Sequence, residues 1–205
     1  MPDGDITSKE ALAARYGEPK GYIGRKEMPR LNAHCRRFIE LSPFVALASS
    51  ASGDGPADCS PRGGEPGFVR ILDDRTLALP DRPGNRRTDT FRNVLENPHI
   101  ALLFMVPGLN EVLRVNGRAR LSTDADLLGA LIEKGRPPLA VLVVELDAVY
   151  FHCGKAIIRA DLWNPDKALT KGDFPTLGRI NADSYGADAD EIDRRLADEY
   201  VNKLY

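Results

Sequence analysis

A chain of 205 residues can bury a substantial core, most simply as one domain with appendages. Its formal net charge of -2 and pI near 6.0 give no general attraction to nucleic acid or to an anionic membrane, so any anion recognition has to be local. No apolar run approaches the roughly 20 residues that cross a bilayer. The start, Met-Pro-Asp-Gly-Asp, lacks the basic and apolar stretches of a secretory signal. Cys35, Cys59 and Cys153 are widely spaced, form no paired ligand motif, and suit reduced thiols in a cytoplasm.

In chain order, Thr7 or Ser8 with Glu10 following predicts a capped helix to residue 16, ended by Gly17, Pro19, Gly21 and Gly24. A second helix, about Leu31 to Leu41, places Leu31, Cys35, Phe38 and Leu41 on one apolar stripe, with His34 half-exposed beside it. Phe44 to Ala51 reads as a strand and Ser52-Gly53-Asp54-Gly55 as a hairpin turn. The returning strand, Ala57 to Arg62, sets Asp58, Ser60 and Arg62 on one face and Ala57 and Cys59 on the other. Pro61 makes it an edge strand or a bulged one. A polar Asp-Ser-Arg face beside a ladder break favours a ligand-facing role for Ser60 and Arg62 over plain solvation. Phe68 to Leu72 is a further strand, followed by the turn Asp73-Asp74-Arg75.

The stretch from 77 to 106 organises the chain. Leu77 to Leu79 is a short strand, and Pro80 to Arg87 a Pro- and Gly-rich turn carrying Arg82, Arg86 and Arg87. Phe91, Val94 and Leu95 recur at helical spacing after Thr88, Pro98 stops that helix, and His99 to Val106 is another strand. Clustered arginines in a glycine turn at a helix start make a sensible anion site, because first-turn N–H groups are free and guanidinium forks match phosphate oxygens. A solvated basic loop is an equal reading, and Asp89 favours it by being placed to neutralise one arginine.

Val112 to Leu121 shows the clearest alternation. Leu113, Val115, Gly117, Ala119 and Leu121 share one face, and Arg114, Asn116, Arg118 and Arg120 the other. Solvent suits Arg118 and Arg120, whereas a ligand or subunit interface suits Arg114 and Asn116. Ser122 or Thr123 caps a helix of about Asp124 to Glu133. Leu139 to His152 is a long strand, apolar enough before Glu145 to be buried on both faces. Adjacent His152 and Cys153 are a poor metal pair and a poor nucleophile–base pair, since neighbours on a strand point apart; no metal site is predicted. Residues 164–186 read as an extended tail and Asp188 to Leu204 as a final helix with Ile192, Leu196 and Tyr200 on one stripe. The whole is mainly β with flanking helices: six antiparallel strands closing as a barrel. They carry more apolar surface than one small barrel buries, so a second subunit is expected over the outer face.

Five segments carry a resemblance. Ser60-Pro61-Arg62-Gly63, Pro80-Asp81-Arg82-Pro83-Gly84-Asn85 and Glu96-Asn97-Pro98-His99-Ile100-Ala101-Leu102-Leu103-Phe104 resemble the pyridoxamine 5'-phosphate oxidase-like FMN-binding split barrels. Leu113-Arg114-Val115-Asn116-Gly117-Arg118-Ala119 and His152-Cys153-Gly154-Lys155-Ala156-Ile157-Ile158-Arg159 continue it over roughly residues 10–165. The likeness is greatest to an uncharacterised bacterial subfamily described as FMN-dependent. It implies a six-stranded split barrel at 43–163, a helical segment at 1–42, and a tail and helix at 164–205. It also implies a homodimer with FMN at the subunit interface.

On this resemblance the FMN phosphate would meet Arg62, Arg82, Arg86 and Arg87, with Ser60 and Asn85 as neutral donors. The flavin ring would lie over Pro80 and Asp81. The far wall would come from the other subunit, from Arg114 or Asn116 and from Lys155, Arg159 or Trp163. A cation near the N1–C2 edge would favour the reduced, anionic ring. The chain lacks the oxidase's R-x-x-L-L-K strand, where Asp58-Cys59-Ser60-Pro61-Arg62 stands instead, and its C-terminal Arg-x-His pattern near Trp163. The leading expectation is therefore an FMN-dependent oxidoreductase of an unidentified small substrate, with His152 the catalytic candidate by residue type. Alternatives are a non-catalytic flavin carrier or sensor, a deazaflavin enzyme, and a haem protein using His34, His99 or His152.

Overall fold

The computed structural model describes residues 4–204. Helix α1 (Lys9–Tyr16) is capped by the Ser8 hydroxyl, which accepts from the Ala11 N–H, and none of its residues is buried. Helix α2 (Ala33–Leu41) starts where the Asn32 side chain accepts from the Cys35 N–H at 2.9 Å. Its buried side chains are Cys35, Phe38 and Ile39. Ile39 takes the place expected for Leu41, which is 36% exposed, because the contact face swings one position with the 3.6-residue period. Burial pushes the Cys35 thiol pKa up. His34 is exposed.

The strands are β1 (Phe44–Ser50), β2 (Ala57–Gly63), β3 (Arg70–Ile71), β4 (Thr76–Asp81), β5 (His99–Met105), β6 (Val112–Ser122) and β7 (Ala140–His152). They form one antiparallel sheet in the order β2-β1-β5-β6-β7-β4-β3. The expected six-stranded barrel is thus a seven-stranded sheet that does not close: its end strands, β2 and β3, have no pairing with one another among the described residues. The seventh strand is the two-residue β3, too short to seal the gap. The split leaves the outer end of β2 open beside β4.

One face of the sheet packs the main core, including Val45 and Leu47 of β1, Leu102 and Phe104 of β5, Leu113 and Val115 of β6, and Val144 and Leu146 of β7. Each such side chain contributes about 1.5–3 kcal/mol by leaving water. Helix α4 (Ala125–Ala130) covers the other face of β7 and β4. There Val141, Val143, Ala78 and Leu131 form a second cluster with Leu127 and Leu128, which accounts for the unbroken apolar run early in β7. α4 is shorter than expected and is capped by the Asp124 carboxylate, which accepts from Asp126 and Leu127 N–H, rather than by Ser122 or Thr123. β6 and β7 slip register between Asn116 and Gly117. A Cβ at Gly117 would run into the Glu145 carbonyl oxygen, so a glycine is needed at this bulge.

Helix α3 (Asp89–Glu96) crosses the end of β1. It buries Thr90, Asn93 and Val94, while Phe91 is only half-buried and Leu95 is 77% exposed. The contact face is therefore more polar than the predicted Phe91, Val94, Leu95 stripe. Asn93 donates to the Ser49 hydroxyl at 3.0 Å and Asn97 to Ser50 at 3.1 Å, so hydrogen bonds add to the packing of Val94 and Phe91 in fixing this helix on β1. After β7 come α5 (Lys155–Ala160), a 3-10 turn at Pro165–Lys167, and two helices packed on each other, α6 (Leu177–Tyr185) and α7 (Ala189–Asn202). The segment expected to be extended thus contains a helix. Thr176 caps it and Gly186 ends it in the left-handed conformation. Among the described residues no helix is long and apolar enough to cross a membrane.

Candidate functional site

Where β2 forms one edge of the sheet, β4 ends and α3 begins, the surface folds into a cleft of about 660 Å³. It brings together Ser60 and Arg62 of β2, Pro80 and Asp81 of β4, and Arg82, Asn85, Arg86 and Arg87 of the following turn. Pro80 and Asp81 belong to the strand rather than to the predicted turn, pairing with Val141 and Ala140 of β7. Proline is tolerated there because β3 stops at the Ala78 pair, and no neighbour on that side awaits an N–H.

The β2 alternation works as its sequence implies: Asp58, Ser60 and Arg62 are half-buried, and Ala57, Cys59 and Pro61 exposed. The polar residues meet Thr90 of α3, which is 1% exposed. Ser60 donates to Asp58 Oδ2 at 2.9 Å and Thr90 donates to the same oxygen at 2.8 Å. Arg62 Nη2 donates to Thr90 Oγ1 at 3.2 Å, and Nη1 to its neighbour's Pro61 carbonyl at 2.8 Å. Of the five N–H donors of a guanidinium, three remain available to a ligand. Asp81 faces the same guanidinium. Burial pushes its carboxyl pKa above the usual range, and the opposing pull of Arg62 is the smaller effect.

The four arginines do not converge. Arg82 turns away from the cleft: its Nη2 donates to the Leu131 carbonyl at 2.8 Å and to Glu133 Oε2 at 3.2 Å, and its Nη1 to the Arg136 carbonyl at 3.2 Å. It therefore ties the end of β4 to the loop after α4, and a phosphate role expected of it conflicts with these bonds. Arg87 pairs with Asp89 at 2.7 Å, the neutralisation the sequence suggested, and that hydrogen bond raises its pKa. Arg86 is exposed, with φ 62, and Thr88 has φ 57. Non-glycine residues in the left-handed region carry strain of order 1–3 kcal/mol each, so the turn is held rather than relaxed. Asn85 Oδ1 accepts from the Arg87 N–H at 3.0 Å and helps to hold it. Thr88 makes no side-chain cap to α3, leaving first-turn N–H groups beside Arg86.

Arg62, Arg86 and the start of α3 line the same cleft, and guanidinium and first-turn N–H groups are the donor types that hold a phosphate ester. The remaining predicted residues lie elsewhere on the chain. Arg114, paired in register between Leu103 and Tyr150, lays its guanidinium 5.2 Å from the Tyr150 ring centre on the outer face, and Asn116 is half-buried on that face. Lys155 and Arg159 are exposed on α5, where Arg159 bonds the Lys155 carbonyl. Trp163 donates to the Leu109 carbonyl at 2.8 Å beside a separate hollow. His152 is exposed at the end of β7, and His34 and His99 are exposed too. Among the described residues no three His, Cys, Asp or Glu side chains are grouped to hold a metal ion. Thr90 was missed in the sequence because a threonine in a helix's first turn reads as surface; only β2 beside it places it in the cleft.

No curated protein matches the chain. Among solved structures, HupZ of Group A Streptococcus aligns at TM-score 0.49 and 17% identity, over 59% of this chain and 93% of its own. A Clostridium acetobutylicum protein related to general stress protein 26, of the pyridoxinephosphate oxidase family, aligns at 0.46 and 14%, over 58% and 86%. An FAD binding protein of Mycobacterium smegmatis aligns at 0.43 and 14%, over 61% and 97%. The sequence model of the pyridoxamine 5'-phosphate oxidase family matches residues 31–153, from the approach to α2 through the whole sheet and the cleft, and the chain belongs to that family.

Proposed function

We propose that the cleft binds FMN and that the protein is an FMN-dependent oxidoreductase of a small organic substrate. The observation that carries this reading is Arg62, presented by an edge strand with three N–H donors beyond its two hydrogen bonds, in a cleft lined also by the strained Arg86 turn and the start of α3. Such an arrangement suits a phosphate ester tethered to a larger group. Arg62 and Arg86 would hold the phosphate, and the backbone at Pro80–Asp81 would lie along the ring. Bound flavin would supply hydride transfer; the protein would orient it and exclude water.

A second copy of the chain completes this reading. Phe44, Ala46 and Ala48 of β1 lie beside Met105, Leu103 and Ala101 of β5 as a half-buried apolar row on the face opposite the core. Arg114 and Asn116 continue that row on β6. A twofold partner laid on this face would bring its Arg114, Asn116 or α5 toward the cleft. The test is to titrate the apoprotein with FMN and follow flavin fluorescence and absorbance. Saturable binding is expected, with Arg62→Ala weakening it more than tenfold. No binding, or unchanged affinity in Arg62→Ala, removes the assignment. Anaerobic reduction by NADH or NADPH then separates an enzyme from a flavin carrier.

A further inference from the structure

The floor of the cleft contains a group that a phosphate site would not be expected to keep. Asp58 Oδ2 accepts hydrogen bonds from both Ser60 and Thr90, at 2.9 and 2.8 Å. A carboxylate can only accept and each hydroxyl has one proton: that of Ser60 goes to Asp58, and that of Thr90 to Asp58 or, at 3.3 Å, to the Ser60 oxygen, so in either arrangement neither is directed into the cleft. Ser60 and Thr90 therefore present lone pairs to the cleft, and Arg62 Nη2 already occupies the Thr90 oxygen at 3.2 Å. Ser60, expected from the sequence to be a phosphate donor, is set as an acceptor, and so is Thr90 beside it. The negative charge of Asp58 also lies one hydroxyl away from the guanidinium that would meet the phosphate. Both effects act against a dianionic ester at the same place.

We propose that Asp58 sets the phosphate affinity of this cleft and holds it down, so that bound FMN exchanges with free flavin instead of remaining a permanent prosthetic group. The inference rests on the FMN reading for its ligand, but the carboxylate's effect on a phosphate is tested separately. Asp58→Ala releases both hydroxyl protons toward the cleft. Asp58→Asn removes the charge and adds an amide donor in nearly the same shape, and the pair guards against one variant misfolding. Circular dichroism melting identifies a variant that has lost its fold.

The experiment measures Kd for FMN, for riboflavin, which lacks the phosphate, and for inorganic phosphate, in the wild-type chain and both variants. The expected result is FMN binding at least tenfold tighter in a folded variant, with slower flavin release and riboflavin affinity within threefold of wild type. Unchanged or weaker FMN affinity with unchanged riboflavin affinity overturns the role of Asp58 and leaves the flavin reading standing. A wild-type chain that binds neither flavin removes the flavin reading. Inorganic phosphate then decides: at least tenfold tighter binding by a folded variant supports the role of Asp58, and equal binding overturns it.

Discussion

Replacing Arg82 with alanine separates a structural arginine from a ligand-binding one. In the sequence Arg82 is indistinguishable from Arg86 and Arg87, and all three fall in one basic turn. In the structure its side chain is 15% exposed and that of its partner Glu133 22%, so the pair is shielded from solvent on both sides. Arg82→Ala takes the guanidinium away from the Glu133 carboxylate and from the Leu131 and Arg136 carbonyls. Breaking a buried pair costs 3–5 kcal/mol, and hydrogen bonds from a charged group 1.5–3 each. With some water able to reach the loop, a total of about 3 kcal/mol is a reasonable figure. In a chain of this size each kcal/mol moves Tm by about 2–4 °C. Calorimetry on the apoprotein should therefore show Tm lower by about 6–12 °C, while FMN affinity at a temperature where the variant is folded changes less than threefold. A variant that melts within 2 °C of wild type yet loses flavin tenfold would refute this reasoning and return Arg82 to the phosphate.

The remaining predictions follow from the same geometry. Arg86→Gly removes a side chain from a backbone at φ 62, so it should cost flavin affinity tenfold without lowering Tm, and a lower Tm would count against strain in this turn. Leu103→Glu places a charge in the half-buried row beside Ala46, and light scattering should report a monomer where the wild type is a dimer; a wild-type monomer at micromolar concentration excludes the twofold reading. Asp81 has a raised pKa in the folded state, so its neutral form is favoured there: the contribution is fully present below the unfolded pKa and is lost as pH rises through the folded one. Asp81→Asn should accordingly match wild type in Tm near pH 3 and exceed it at pH 7; a variant less stable at pH 7 reverses the sign.

Much of the sheet was legible because its chemistry is local. The alternation of β6, the hairpin at 52–55 and the two-sided apolar run of β7 are each written in consecutive residues, and the helix after Thr88 ends at Glu96, capped by Asn97 just before Pro98. The misreadings came where a distant partner overrides a local rule. Pro80 argued for a turn, yet β4 runs through it because β3 ends early. The glycines and prolines after residue 164 argued for an extended tail, yet Thr176 and Gly186 frame a helix within it. The partner of Arg82 lies 51 residues away, on a loop that only the packing of α4 against β7 brings near.

The same distinction governs the site itself. Sequence reasoning counts charges along the chain, and by that count the turn after β4 is a strongly basic patch. The fold sorts those charges by what they touch. Arg82 is committed to Glu133, Arg87 to Asp89, and Arg62 is shared with Thr90 while Asp58 and Asp81 stand on either side of it. The cleft that results is close to neutral and presents directed N–H groups instead of a diffuse positive field. A diffuse field would attract any anion and be screened by salt over about 8 Å at physiological ionic strength. A near-neutral pocket with a few fixed donors gains little from long-range attraction and depends on shape and hydrogen-bond direction. A ligand suited to it must bring contacts of its own beyond the phosphate, as a ring lying along the end of β4 would.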